Sequence, residues 1–527
     1  MNLFTNAVID KKLLYFGLLF VFCFLLIIPL ANMIININGD VFLLFSNKVF
    51  VHSLINSLCI SVISSLISIV LGTMFALAFN RFHIYMHSFI SIILILPMFL
   101  PTICNGTSIL LLFGNNGIFV NLFHMDPIYG FSGIVFGSVL FTYPIVFLSI
   151  SNILSVEPLN TYYAADILGI KKVDQFILIT LPYLAKSLFN NFILVFALII
   201  SDYGIPLIVG GKIKTLAILM YENVLGLGDF TYGYIISLVM MFLSAVLIIG
   251  VPKSNLKLDS RYVESRVYIK NKLEKLVNVW LYFFASFIIL LFMLFLINAF
   301  VVSFPNNMSF TFDNFKSVFY YGNGSKSLIV SIEMAILVSS LGTVLSFLLA
   351  YYNTRIRESK LLNLISTIPA ALSGLVIGLS YVLFFRNSNI YRTIWILVFV
   401  NIVHLISTPY TMQKSTLSKL NSNIEIISET LGLNSYNVLF DIIIPQMVET
   451  IIDAMSYLFV STMITISAIS FLANSKFRSL ALLIPQYESQ QQFENIAAIT
   501  LVILIVNLFA KFMFDKMKIN LRRKYDR

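Results

Sequence analysis

The chain has 527 residues, of which 59% are apolar, 14% aromatic and only 11% charged. A water-soluble domain needs far more polar surface, so composition excludes one. The formal net charge of +10 invites a nucleic-acid reading, but the placement of the basic residues argues against such a partner.

A bilayer core about 30 Å thick takes about 20 apolar residues per helix. Such runs recur about twelve times: 13–33, 53–79, 87–114, 132–154, 187–209, 232–251, 278–303, 327–352, 361–385, 393–413, 450–472 and 495–515. They are continuous rather than alternating, which predicts helices and not barrel strands. The first run is of full crossing length and lacks a small-residue cleavage site, so it reads as a retained helix. Cys23, Cys59 and Cys104 fall inside predicted spans, with neither metal-like nor disulfide-like spacing, and read as packing residues.

Lys and Arg gather on one predicted side. Lys11 and Lys12 precede the first run, Arg81 follows the second, and Lys171 and Lys172 lie in a polar interruption. Seven more populate 252–277, Arg355, Arg357 and Lys360 follow the eighth run, and six close the chain. This positive-inside bias predicts cytoplasmic N- and C-termini and membrane lipid as surroundings. Lys212, Lys316, Lys326, Arg386, Arg392, Lys476 and Arg478 are exceptions on the predicted outer side.

The chain reads as an internal duplication. Ser53, Ser57, Ala76 and Arg81 match Ser327, Ser331, Ala350 and Arg355 at an offset of 274. Pro97 and Gly106 match Pro369 and Gly378 at 272, Pro144 matches Pro409 at 265, and Gly169 matches Gly432 at 263. An offset that shrinks in steps fits loops that changed length between two copies. The predicted units are residues 1–252, a basic cytoplasmic connector at 253–277, and residues 278–527. An even number of spans per copy gives two parallel six-helix repeats, with a substrate path expected at their seam. The outer segments 115–131, 304–326 and 473–494 are short, polar and read as plain loops.

One polar interruption occurs twice. Tyr162, Tyr163, Ala164, Ala165, Asp166, Ile167, Leu168 and Gly169 run on to Leu181 and Pro182. Ile427, Ser428, Glu429, Thr430, Leu431 and Gly432 run on to Ile444 and Pro445. Both intervals from Gly to Pro are thirteen positions. In the first copy, Asn160 or Thr161 caps a helix of about two turns, Gly169 suits the left-handed position that ends it, and Asp174 caps the next. In the second, Asn421, Ser422 or Asn423 caps, and Gly432 terminates. A short helix with small and acidic residues lies well in a partner's groove; a plain amphipathic surface helix is the bland alternative.

These stretches resemble the EAA loops of binding-protein-dependent ABC importer permeases: Glu-Ala-Ala, three residues, Gly, then Leu-Pro. Ala164, Ala165, Gly169, Leu181 and Pro182 match, as do Ser428, Gly432 and Pro445, whereas Tyr163 and Ile426 stand where the family has Glu. The resemblance implies an all-α polytopic, type I ABC importer permease-like fold in the bacterial cytoplasmic membrane. It implies coupling loops at 157–186 and 420–449, with Asp166 and Glu429 among the coupling residues. The implied partners are two cytosolic ATP-binding-cassette ATPase subunits and an extracytoplasmic solute-binding protein. The fused format, the Pro97–Gly106 and Pro369–Gly378 pairs, and the Met463–Leu472 stretch are similar to fused ferric-iron permeases. A sister group handles 2-aminoethylphosphonate, and related permeases handle thiamine, sulfate and polyamines.

No phosphate-binding Gly-x-x-x-x-Gly-Lys-Ser/Thr loop is present; Gly210-Gly211-Lys212 is followed by Ile213. ATP and Mg are therefore expected on partner subunits, with no catalysis and no bound cofactor here. The five histidines lack catalytic zinc spacing, so no metal site is expected. Charges inside spans usually face a protein interior or water. Glu333, Asn401, His404 and Asp202 are the candidates for a translocation path, against simple helix–helix hydrogen bonding. An ion-coupled secondary transporter and an integral membrane enzyme are the rival classes.

Overall fold

The computed structural model describes residues 11–36, 41–115, 117–155, 157, 160–249, 273–302, 309–421, 424 and 437–525. Most of the 253–277 connector, together with Ser428, Glu429 and Gly432, lies outside them. The first copy contains α1 (Lys12–Ile35), α2 (Lys48–Arg81), α3 (His87–Phe99), α4 (Thr102–Phe113), α5 (Phe131–Leu154), α6 (Asn160–Ile167), α7 (Lys172–Ser201), α8 (Gly204–Val209) and α9 (Phe230–Ile249). The second contains α10 (Lys275–Ala299), α11 (Gly324–Ile356), α12 (Lys360–Ala371), α13 (Gly374–Phe385), α14 (Ile394–Leu405), α15 (Ser407–Lys419), α16 (Ile444–Ile464) and α17 (Phe493–Tyr525). Among the described residues, eight helices are long and apolar enough to cross a membrane, or ten if each of two bent pairs is one span.

Several runs expected to be continuous are broken, mostly at prolines. The 87–114 run divides at a 3-10 turn, Leu96–Phe99, followed by Pro101. The 361–385 run bends by 110° between α12 and α13, just beyond the 3-10 turn holding Pro369. The 393–413 run bends by 51° between α14 and α15, near Pro409. Proline lacks the N–H that continues the ladder, and its ring clashes with the preceding turn. The 187–209 run instead ends at Ser201, where Asp202 turns the chain into α8, and the 450–472 run ends at Ile464. The segments read as plain loops also carry structure: a helix at Ile118–Phe123, a two-stranded pairing of Val301–Val302 with Ser309–Phe310, and a helix at Leu483–Ser489.

Small residues set the packing distances. The Cβ that Gly72 lacks would stand 2.6 Å from the Val146 Cβ, so α2 and α5 approach almost backbone to backbone. Ser68 and Thr142 share a 2.8 Å hydrogen bond at the same contact. In the second copy Gly342 of α11 meets Leu458 of α16.

The copies exchange their first helices. Tyr381 of α13 donates to the Leu25 carbonyl of α1 at 2.7 Å, and Phe24 packs edge-on against Phe384 and Phe385. Reciprocally, Trp280 of α10 stacks on Phe75 of α2 at 4.8 Å, and Tyr282 donates to the Tyr85 carbonyl. Two halves that each lend a helix to the other bury far more apolar surface than a flat seam does.

Candidate coupling loops and seam

The first loop is held at its root by a buried network. Arg81 ends α2 and reaches Glu157, whose side chain is only 2% exposed, at 2.5 Å. The guanidinium also lies 4.4 Å from the ring centre of Tyr162 on α6. The Tyr162 hydroxyl donates to the second Glu157 oxygen and is 2.7 Å from the Thr180 hydroxyl on α7. One tyrosine thus ties α6 to both α2 and α7. Burial, then the Glu157 carboxylate, push the Tyr162 phenol up to about 12, so it stays a donor at neutral pH. Burial also raises Glu157 above the ordinary value, outweighing its Tyr162 and Arg81 partners.

The tip is rigid. The Gly169 N–H bonds the Asp166 carbonyl and the Ile170 N–H bonds the Ala165 carbonyl, both at 3.0 Å. This is a Schellman ending, and Gly169 sits at its left-handed position with φ +72°. Asp166 braces the turn internally: Lys172 Nζ and Gln175 Nε2 both reach its Oδ1 at 2.6 Å. Those two bonds hold its carboxyl below the ordinary value. Asp174, expected as a cap, lies inside the first turn of the next helix, and Lys171 occupies the cap position. Ala164 is exposed and Ala165 buried. Ile167 is 87% exposed and Leu168 75%, so the tip presents apolar side chains largely uncovered among the described residues. Leu181 and Pro182 open the regular part of α7, directly after a π turn at Phe176–Thr180. Pro445 likewise follows a π turn at Val438–Ile443 at the start of α16.

In the second copy the matching arginine also holds the root. Arg355, the match of Arg81, donates to the carbonyls of Leu417, Leu420 and Asn421 at 3.0 to 3.1 Å. Arg81 and Arg355 stood out in the repeat; Glu157, Tyr162 and Thr180 were missed. The coincidence of a lone Glu just before a short helix and an aromatic in that helix's first turn was the available signal.

Repeat matches in the spans also acquire a reason. Ser57 accepts from the Leu216 N–H at 2.8 Å, and Ser331 accepts from the Leu480 N–H at 2.7 Å. Each serine of a second helix pins the helical turn that follows its own copy's fifth long helix. At the seam, α7 packs on Ile368–Ala371 and α16 packs on Leu96–Phe99. The Tyr203 and Ser470 hydroxyls meet across it at 3.1 Å. Cys104 and Thr500 meet at 2.9 Å where α4 touches α17.

The path candidates do not gather at one point. Asp202 caps α8 through the Gly204 and Ile205 N–H groups and accepts from Thr102 at 2.7 Å, beside the seam. Asn401 is fully buried, with its amide bonded to the Leu397 carbonyl inside α14. His404 lies one turn further along α14, partly buried. Glu333, expected to face a protein interior or water, is exposed on α11 along the stripe of Ile329 and Ile336. Helical periodicity sends Ser327, Ser331 and Ser339 inward and Glu333 outward.

A largely helical bundle with a duplicated core and a braced short helix between α5 and α7 has the frame of a membrane transport permease. The family model for binding-protein-dependent transport system inner membrane components matches residues 68–253 and 342–522. The chain belongs to that family. The two matches begin 274 positions apart, the offset that relates Ser57 to Ser331. The chain is 26% identical over 458 residues to FbpB 1 of Haemophilus influenzae, named for ferric transport, covering 82% of this chain and 72% of that protein. It is 25% identical over 485 residues to the ferric transport system permease protein FbpB of Actinobacillus pleuropneumoniae, covering 87% and 70%. A spermidine/putrescine transport system permease protein PotC homolog of Mycoplasma pneumoniae is 28% identical over 204 residues, 39% of this chain and 70% of its own length.

Proposed function

We propose that this chain is the fused permease subunit of an ATP-driven importer whose cargo is ferric iron. Two ATPase subunits grip the 160–182 and 423–445 loops from the cytosol, and both chain termini lie on that side. They bind ATP and Mg; this chain supplies the gate and no catalysis. A solute-binding protein delivers cargo to the opposite face, and nucleotide-driven closure shifts the population between outward and inward openings. Ala164, Ala165, Asp166, Gly169, Leu181 and Pro182, with Ser428, Glu429, Gly432 and Pro445, form the coupling elements. Asp202 is the path candidate nearest the seam.

The observation that carries this reading is the single-residue tie from α6 to α2 and α7 through Tyr162. A push on the exposed tip is carried through Tyr162 to two long helices of the first copy. The ferric cargo is supported by the relatives' names and by their coverage of most of the chain. Uptake of labelled iron and of 2-aminoethylphosphonate into vesicles holding the assembled transporter tests the cargo. Saturable iron uptake with no phosphonate uptake supports it; the reverse refutes it. Gly169→Asp and Gly432→Asp should each abolish uptake while leaving membrane insertion intact.

A further inference from the structure

Three of the basic residues that departed from the positive-inside pattern converge on one cavity. Lys326, Lys476 and Arg478, with Asn323, Ser327 and Ser475, line a space of about 240 Å³. The cavity sits at the start of α11, whose 33 residues carry the chain about 50 Å to the Arg355 end. It therefore lies at the end of the bundle away from the coupling loops.

The lining is built for negative charge. None of the three cations has a carboxylate partner among the described residues. Arg478 spends one nitrogen on Gln486 at 2.6 Å, and Lys476 lies 5.2 Å from the Phe477 ring centre, so both keep donors unspent. The first N–H groups of α11 have no partner one turn back, and Asn323 does not use its side chain to cap them. Ser327 is only 4% exposed, and its hydroxyl has no hydrogen-bond partner among the described residues. A long helix's positive end, three cations and an idle buried hydroxyl share one hollow.

We propose that this cavity is a binding site for a tetrahedral oxyanion of the phosphate class, at the face opposite the coupling loops. The site is independent of the cargo and coupling assignments. Ser327 and the α11 N–H groups fix one side of the anion; Lys326, Lys476 and Arg478 close the other.

The test uses the purified full-length chain in detergent and equilibrium dialysis with radiolabelled inorganic phosphate. Saturable binding at one site per chain is expected. Lys326→Ala, Lys476→Ala and Arg478→Gln should each weaken it about tenfold or more, as expected for loss of one charge-assisted hydrogen bond. Ser327→Ala should weaken it less. Lys316→Ala should leave it unchanged, because Lys316 pairs with Asp313 outside the cavity. Monodisperse elution and unaltered thermal unfolding verify that each variant is folded. Nanodiscs then separate the sources: weaker phosphate binding in phosphatidylglycerol than in phosphatidylcholine names a lipid headgroup as occupant, and equal binding names the free ion. Either supports the site. Absence of saturable binding, or equal binding by wild type and the triple variant, overturns it. So does loss of binding-protein capture by a triple variant whose parent binds no phosphate, because that reassigns the cluster to a protein carboxylate.

Discussion

Tyr162→Phe isolates one atom of the coupling route. Phenylalanine keeps the ring beneath the Arg81 guanidinium at 4.4 Å. It removes only the hydroxyl that reaches Glu157 and Thr180. A hydrogen bond to a charged group contributes about 1.5–3 kcal/mol. If that energy holds α6 to α7 during the power stroke, its loss lowers the transport rate by about 10- to 150-fold. The assay is cargo uptake per ATP hydrolysed in vesicles containing the complete transporter. The ratio should fall while ATP hydrolysis and assembly persist. Glu157→Gln should lower it as well, and the double variant should be no worse than the more severe single one, as for residues that act as a unit. A normal ratio in Tyr162→Phe, or fully additive losses in the double variant, would refute the single-residue tie.

Other consequences follow from named contacts. Gly169→Ala should cost the loop about 1–2 kcal/mol, because an L side chain resists φ +72°, while Gly169→Asn, which tolerates that region, should retain most uptake; parallel uptake curves measure both. Glu157 has a raised pKa, so between the ordinary value of 4.5 and that raised value the folded chain binds more protons than the unfolded one. That contribution to stability is present at low pH and lost as pH rises, and thermal unfolding should show it in wild type and not in Glu157→Gln. Ser57→Ala and Ser331→Ala each leave a buried N–H unpaired, so each should lower thermal stability by about 1–3 kcal/mol, measured by unfolding in detergent. Glu333→Gln should leave uptake and assembly unchanged, since its side chain faces outward; a large loss of uptake would return it to the path.

Much of this architecture was legible because duplication prints each constraint twice. Ser57 and Ser331 align because both pin a helical turn, and Arg81 and Arg355 align because both anchor a loop root. Gly169 was readable as a helix terminator because few residues accept its backbone angle. The exchange of α1 and α10 was not readable, since an apolar run carries no record of which neighbour it packs against. Breaks at Pro97 and Pro369 were visible as matched prolines, yet a hydropathy count merges the helices on either side. The Lys326, Lys476 and Arg478 cavity was hidden because its residues lie about 150 positions apart and looked like scattered exceptions.

Nucleotide dependence tests the central claim most directly. Vesicles would be loaded with this chain alone, or with this chain and its ATPase subunits, and cargo entry followed with binding protein outside and ATP inside. The account predicts uptake only when ATPase and ATP are both present, and its loss in Gly169→Asp. Uptake by this chain alone, driven by an ion gradient and indifferent to ATP, would contradict it.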